Sequence, residues 1–166
     1  MDETYVGGKH PGHEFKYDNK TPVIGIRQRR GELRFFAADD ISSGTLAKYI
    51  RENISSDVEV IMTDESLFYP KAMIEAGVHK SRHRTVRHKD RIYAVGETHT
   101  NAVESAFSLL KRGIVGTWHK ISAKQLAAYL EEMTFRFNRR NRSDLFLDTL
   151  RHMVTADPLT FEELTA

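Results

Sequence analysis

Three acidic residues far apart in the chain, Asp2, Asp64 and Glu104, are the candidates for chemistry. Asp2 opens a strand-like run, Asp64 follows directly on a short β-rich run, and Glu104 sits in a helical pattern. Open α/β sheets gather ligands beyond the carboxyl ends of their strands. Three carboxylates brought there by separate elements could hold a pair of divalent cations, and oxygen-only donors suit Mg²⁺ or Mn²⁺. Such ions activate an attacking oxygen and stabilise a leaving one during in-line phosphoryl displacement. On spacing alone, plainer roles are favoured: Asp2 as a solvated terminal residue, Asp64 as a helix cap, Glu104 as half of an exposed ion pair.

The elements that would position these acids follow from periodicity. Val103, Ala106, Phe107 and Leu110 recur at helical spacing and form one apolar stripe. Lys111 stands two turns beyond Glu104 on roughly the same face, and Gly113 signals the helix end. Asp2–Val6 reads as the second half of a strand closed by Gly7-Gly8, and residues 9–21 read as a polar loop. Pro22–Arg30 and Leu33–Ala38 are two strand-like runs joined as a hairpin through Arg30-Gly31-Glu32. Ser42 or Ser43 caps a helix with Leu46, Ala47, Ile50 and Ile54 inside. Val58–Met62 is a short strand ending at Thr63-Asp64, and a shorter helix follows over Pro70–Ala76 with Gly77 as terminator. Ser122–Gln125 fits a capping box that starts a helix burying Leu126, Leu130, Met133 and Phe137. Ser143 caps a last helix bearing Phe146, Leu150 and Met153. Antiparallel strands leading into a crossover helix and a further strand predict an α/β layered sheet with helices packed on it.

Charge is uneven although the total is only +2. Val78–Arg91 holds six Lys or Arg residues, three histidines and the single acid Asp90. Such a run is either a solvated loop or edge strand, or a patch that displaces counterions from nucleic acid, and composition leaves these even. The Ser122–Phe137 helix ends in a second basic group, Arg136, Arg139, Arg140 and Arg142. His79, His83 and His88 do not make a zinc spacing, and the absence of cysteine excludes disulfides and cysteine zinc sites. No apolar run approaches about eighteen residues and no apolar signal core opens the chain, which points to a soluble, intracellular protein with no membrane partner.

Longer strings carry more information than three acids. DETYVGGK at Asp2–Lys9, Thr63-Asp64, THTNAVESAFSLLKRG at Thr98–Gly113, GTWHKIS at Gly116–Ser122 and YLEEMTFRFNRR at Tyr129–Arg140 together resemble the ISXO-type insertion-sequence transposases. That family is a branch of the DDE-type enzymes related to Merlin elements. The resemblance runs from Asp2 to about Arg142 and implies a ribonuclease-H-like mixed sheet flanked by helices over residues 1–142, with a C-terminal helix and tail over 143–166. It implies that Asp2, Asp64 and Glu104 are the catalytic acids and the ligands of Mg²⁺ or Mn²⁺, with Asn101 a rival for the third position. Lys111 then corresponds to the basic residue placed two turns after the family's Glu, where it binds the transposon end. The expected DNA contacts are Lys111, Lys80, Arg82, Arg84, Arg87, Lys89, Arg139 and Arg140. Trp118 is expected to pack a helix junction, while His99 and His119 recur in the pattern without a derivable role.

The implied activity is metal-dependent DNA strand cleavage and strand transfer, with transposon ends and target DNA as partners, a homo-oligomer on DNA, and a cytoplasmic, nucleoid-associated location. Family members carry an N-terminal zinc-ribbon or helix-turn-helix reader, whereas here Met1 directly precedes the first acid. The expectation is therefore a catalytic domain without its DNA-reading region. The rivals are a DNA-binding remnant without chemistry and a nuclease or resolvase that cuts without joining.

Overall fold

Pro22–Ile26 is apolar on both sides of the chain, a pattern that suits a strand covered on both faces. In the computed structural model, which describes residues 1–7, 20–86, 101–158 and 160–162, it is the middle of the central strand. Strand β1 (Asp2–Gly7) pairs antiparallel with β2 (Lys20–Arg27), Asp2 opposite Gly25. β2 pairs antiparallel with β3 (Leu33–Ala37), Val23 opposite Ala37. The hairpin turn is wider than the expected three residues. Gln28 N–H donates to Glu32 O at 2.9 Å, Gly31 N–H to Gln28 O at 3.0 Å, and Arg30 takes the left-handed conformation at φ 57°.

Helix α1 (Ser43–Asn53) begins where Ser42 Oγ accepts from Thr45 N–H at 3.3 Å, and it buries Leu46, Ala47 and Ile50. The next strand, β4, is Ile61–Thr63, later and shorter than the expected Val58–Met62. Helix α2 (Phe68–Glu75) follows, with Gly77 at φ +76° beyond it, a conformation that only glycine adopts without strain. β5 (His83–Thr85) pairs parallel with β4 after a 3₁₀ turn at Lys80–Arg82, so the basic run contains an edge strand. The two small sheets meet where the Met1 amine donates to Met62 O at 2.7 Å. Helix α3 (Asn101–Gly113) ends at the expected glycine but continues into a π turn at Ile114–Trp118. Ser122 Oγ accepts from Gln125 N–H at 3.2 Å and launches a 3₁₀ turn into α4 (Leu126–Arg139).

Alternation along β2 splits the core in two, because successive side chains point to opposite faces. Val23 packs with Val103, Ala106, Phe107 and Leu110 of α3 and Leu126, Leu130 and Met133 of α4. Ile24 packs with Leu46 and Ile50 of α1 and Tyr69, Ala72 and Met73 of α2. The chain is thus a mixed α/β layer with helices on both faces of its strands.

Two contacts set how the first helix layer seats. A Cβ on Gly25 would lie 2.7 Å from Phe107 Cζ and 2.8 Å from Val103 Cγ2, so α3 rests directly on the backbone there. Asn138 on α4 closes the free edge of β3, its Oδ1 accepting from Leu33 N–H at 2.8 Å and its Nδ2 donating to Leu33 O at 2.9 Å.

The last helix, α5 (Leu145–Thr155), departs from expectation in its cap. Its N-cap is Asp144 rather than Ser143, and Arg142 Nε and Nη2 occupy that carboxylate at 2.9 and 2.7 Å. Phe146, Leu150 and Met153 are exposed, and Asp148 of α5 pairs with Arg139 of α4 and with Arg142 of the connecting turn, each at 3.1 Å. Among the described residues no helix is long and apolar enough to cross a membrane.

Candidate metal centre

Asp2, Glu3 and Asp64 meet where β1 starts beside the end of β4. One carboxylate oxygen of each lies within 4.8 Å of the others, and all three side chains are half-buried. Asp2 Oδ1 accepts from Glu3 N–H at 2.8 Å, and Asp64 Oδ1 accepts from Ser66 N–H at 3.1 Å. Asp64 therefore turns the chain toward α2, as a cap-like residue does, while also belonging to the carboxylate cluster. Tyr69, with no exposed surface, donates its hydroxyl to Glu3 Oε2 at 2.5 Å.

The backbone of Asp64 is held from behind. Thr63, fully buried, donates its Oγ1 proton to Asp64 O at 3.0 Å, and His83 Nε2 lies 2.8 Å from the same Oγ1. A hydroxyl has one proton, so His83 Nε2 carries the hydrogen of that second bond. Burial pushes the His83 imidazole below its ordinary pKa, helped by the amine charge of Met1.

Crowded acids resist ionising together. Burial pushes Glu3 up to about 7, with the charges of Asp64 and Asp2 adding to it against the Tyr69 hydrogen bond. Burial raises Asp2 as well, and Asp64 and Glu104 push in the same direction. The Met1 amine is depressed to about 6 by burial, which outweighs the attraction of Asp2, Asp64 and Glu3. A divalent cation among these oxygens would relieve the repulsion, and an all-carboxylate donor set fits a hard cation. The residues present fit such an ion.

Of the acids singled out by sequence, the structure brings Asp2 and Asp64 together. Glu104 is not part of that group. It lies half-buried in the first turn of α3, near enough to Asp2 for its charge to act there. Glu3 was missed because strand alternation should turn it away from Asp2. At the start of β1 both side chains reach Asp64, which stands off the end of the neighbouring strand. The adjacent Asp2-Glu3 pair was the one available signal.

The expected DNA contacts are dispersed. Lys111 is exposed near the end of α3, and Lys80, Arg82 and Arg84 are exposed along the edge formed by the 3₁₀ turn and β5. Arg82 also donates to Ser56 O. Arg139 is held by Asp148 and lies over the Phe135 ring, whereas Arg140 is exposed. Arg87, Lys89 and His99 lie outside the described residues. Trp118 packs against Tyr129, ring centroids 5.0 Å apart, and beside Gly113, closing the α3–α4 junction as expected.

The fold and the site define an α/β domain with an acidic, oxygen-donor cluster where its two sheets meet. Residues 1–138 of the 166 match the family described as the ISXO2-like transposase domain, and the chain belongs to that DDE-type transposase family. No curated protein and no solved structure matches the chain.

Proposed function

We propose that this chain is the catalytic domain of an insertion-sequence transposase, performing divalent-metal-dependent cleavage and transfer of DNA strands. The observation that carries this reading is the meeting of Asp2 and Asp64 with Glu3 within 4.8 Å in a domain of the DDE transposase family. Three features support a ribonuclease-H-like sheet: antiparallel β1–β3, parallel β4–β5, and the Met1–Met62 link between them, with helices on both faces.

Asp2 and Asp64 would hold the cation, with Mg²⁺ or Mn²⁺ as the hard ions that carboxylates prefer. The bound ion supplies Lewis-acid activation of water or a 3′-hydroxyl and charge neutralisation at the phosphate. The third acid would be either Glu104, by its place in the family motif, or Glu3, by its proximity to Asp2 and Asp64. Tyr69 orients Glu3, while Thr63 and His83 fix the backbone that presents Asp64. Lys111, Lys80, Arg82, Arg84 and Arg140 are the exposed cations available to DNA phosphates, a contact that is worth most at low salt.

The test is Mg²⁺-dependent nicking and joining of duplexes carrying the element's ends. Asp64→Asn abolishes both reactions if the proposal holds, and unchanged nicking refutes the role of Asp64. Comparing Glu3→Gln with Glu104→Gln decides which supplies the third acid. Joining of pre-cleaved ends separates a transposase from a nuclease on the same fold.

A further inference from the structure

Two guanidinium groups share one aromatic ring on the α3 side of the sheet. Arg27 Cζ lies 5.0 Å and Arg140 Cζ 4.1 Å from the centroid of Phe137. Arg27 Nη1 donates to Ala102 O at 2.7 Å, while its Nε is buried without a hydrogen-bond partner. Arg140 Nη1, just past the end of α4, donates to Phe137 O. Among the described residues neither guanidinium is paired with a carboxylate. Like charges this close repel, and a buried donor left without an acceptor is unfavourable. Burial, and then the charge of Arg140, depress the pKa of Arg27.

Strand register places this pair on the side of the acids. Asp2 stands opposite Gly25, and residues directly opposite in an antiparallel ladder share a face. That face is the one α3 covers, since a Cβ on Gly25 would meet Val103 and Phe107. Arg27, two residues on, returns to the same face about 7 Å further along. Glu104 enters that face from α3, one turn or less from the carbonyl that Arg27 holds. Anionic oxygens placed against the outer guanidinium nitrogens of Arg27 and Arg140 would neutralise the mutual repulsion on the face that Asp2 shares. Guanidinium forks match phosphate oxygens in both charge and geometry.

The geometry points to Arg27 and Arg140, set on the Phe137 ring, as a phosphate-binding site that holds the DNA backbone beside the carboxylate cluster. This rests on the DNA-processing function proposed above and adds Arg27, which the sequence did not single out. It also gives Arg140 a role distinct from that of Arg139, whose charge Asp148 already engages.

Binding of the full chain to a fluorescent duplex in EDTA, titrated with KCl, reads this site without any chemistry. Arg140→Gln lowers the magnitude of the slope of log K against log[KCl] by about 0.9 and weakens binding roughly eightfold at about 0.1 M KCl. Arg27→Gln with Arg140→Gln doubles the loss of slope. Arg27→Lys keeps the charge and retains the slope, which guards against a folding defect from losing the Ala102 contact. Arg34→Gln, on the opposite face and paired with Glu32, leaves the slope as it is in the wild type.

A duplex held with unaltered slope by folded Arg140→Gln and by the double variant overturns the site, while the Asp64 nicking test of the metal centre stands independently. Inorganic phosphate that raises the thermal midpoint of the wild type but not of the double variant, with unchanged duplex slopes, assigns the pair to free phosphate and overturns the DNA role.

Discussion

Replacing Glu3 by Gln should change how the stability of the domain depends on pH and on metal. The carboxyl of Glu3 titrates near 7 in the folded chain against an ordinary value of 4.5. The folded state therefore holds that proton more tightly than the unfolded state does. Its stabilising contribution is complete below the ordinary value and is lost as pH rises to about 7. A rise of this size is worth at most about 3 kcal/mol, and partial exposure of the side chain brings it to about 2 kcal/mol. Glutamine stays neutral at every pH and still accepts from the Tyr69 hydroxyl. The stability of Glu3→Gln relative to wild type should thus rise by about 2 kcal/mol between about pH 5 and pH 8. Taking the difference between the two proteins removes the opposing titration of the Met1 amine, apart from the part that the Glu3 charge itself contributes.

Urea unfolding in EDTA across that pH range measures the difference. Repeating it in millimolar MgCl₂ adds the second half of the prediction. The cation favours the ionised cluster, so it should stabilise wild type at pH 8 far more than at pH 5, and should stabilise Glu3→Gln less than wild type at pH 8. A difference curve that is flat with pH, or equal metal stabilisation of the two proteins at pH 8, would refute the placing of Glu3 among the crowded acids.

Two further substitutions test how the site is supported. Gly25→Ala forces a methyl group against Phe107 and Val103 and should destabilise the fold by about 1–3 kcal/mol, read by the urea midpoint. It should also weaken Mg²⁺-dependent nicking, because α3 carries Glu104. Asn138→Ala removes both hydrogen bonds to Leu33 and should cost about 1–3 kcal/mol, with faster amide exchange at Leu33 as the local signature. A native exchange rate at Leu33 in that variant would show that the edge of β3 is held by something else.

Much of the architecture is written in local pattern. The stripe at Val103, Ala106, Phe107 and Leu110 and that at Leu126, Leu130 and Met133 specify helices with one buried face, and the structure buries those residues. The hairpin between β2 and β3 follows from two β-rich runs and a short polar turn. The ends of α2 and α3 follow their glycines. The family too was legible, since dispersed strings in a fixed order carry far more information than isolated acids. Local pattern failed at α5, where periodicity identified the helix but could not say whether a partner surface would meet its apolar face.

What the chain alone determined is which segments are helices and strands and which family they compose, because both depend on residue order over short distances. Only the tertiary structure decided which charges became neighbours. Asn138 reaches Leu33 across 105 residues, Arg27 reaches Ala102 across 75, and Tyr69 reaches Glu3 across 66. Such meetings depend on how layers stack and registers align, and no periodicity along the chain encodes them. Glu3 shows the physical reason most clearly. Alternation within β1 turns it from Asp2, and the end of a different strand brings it back to the same oxygen cluster.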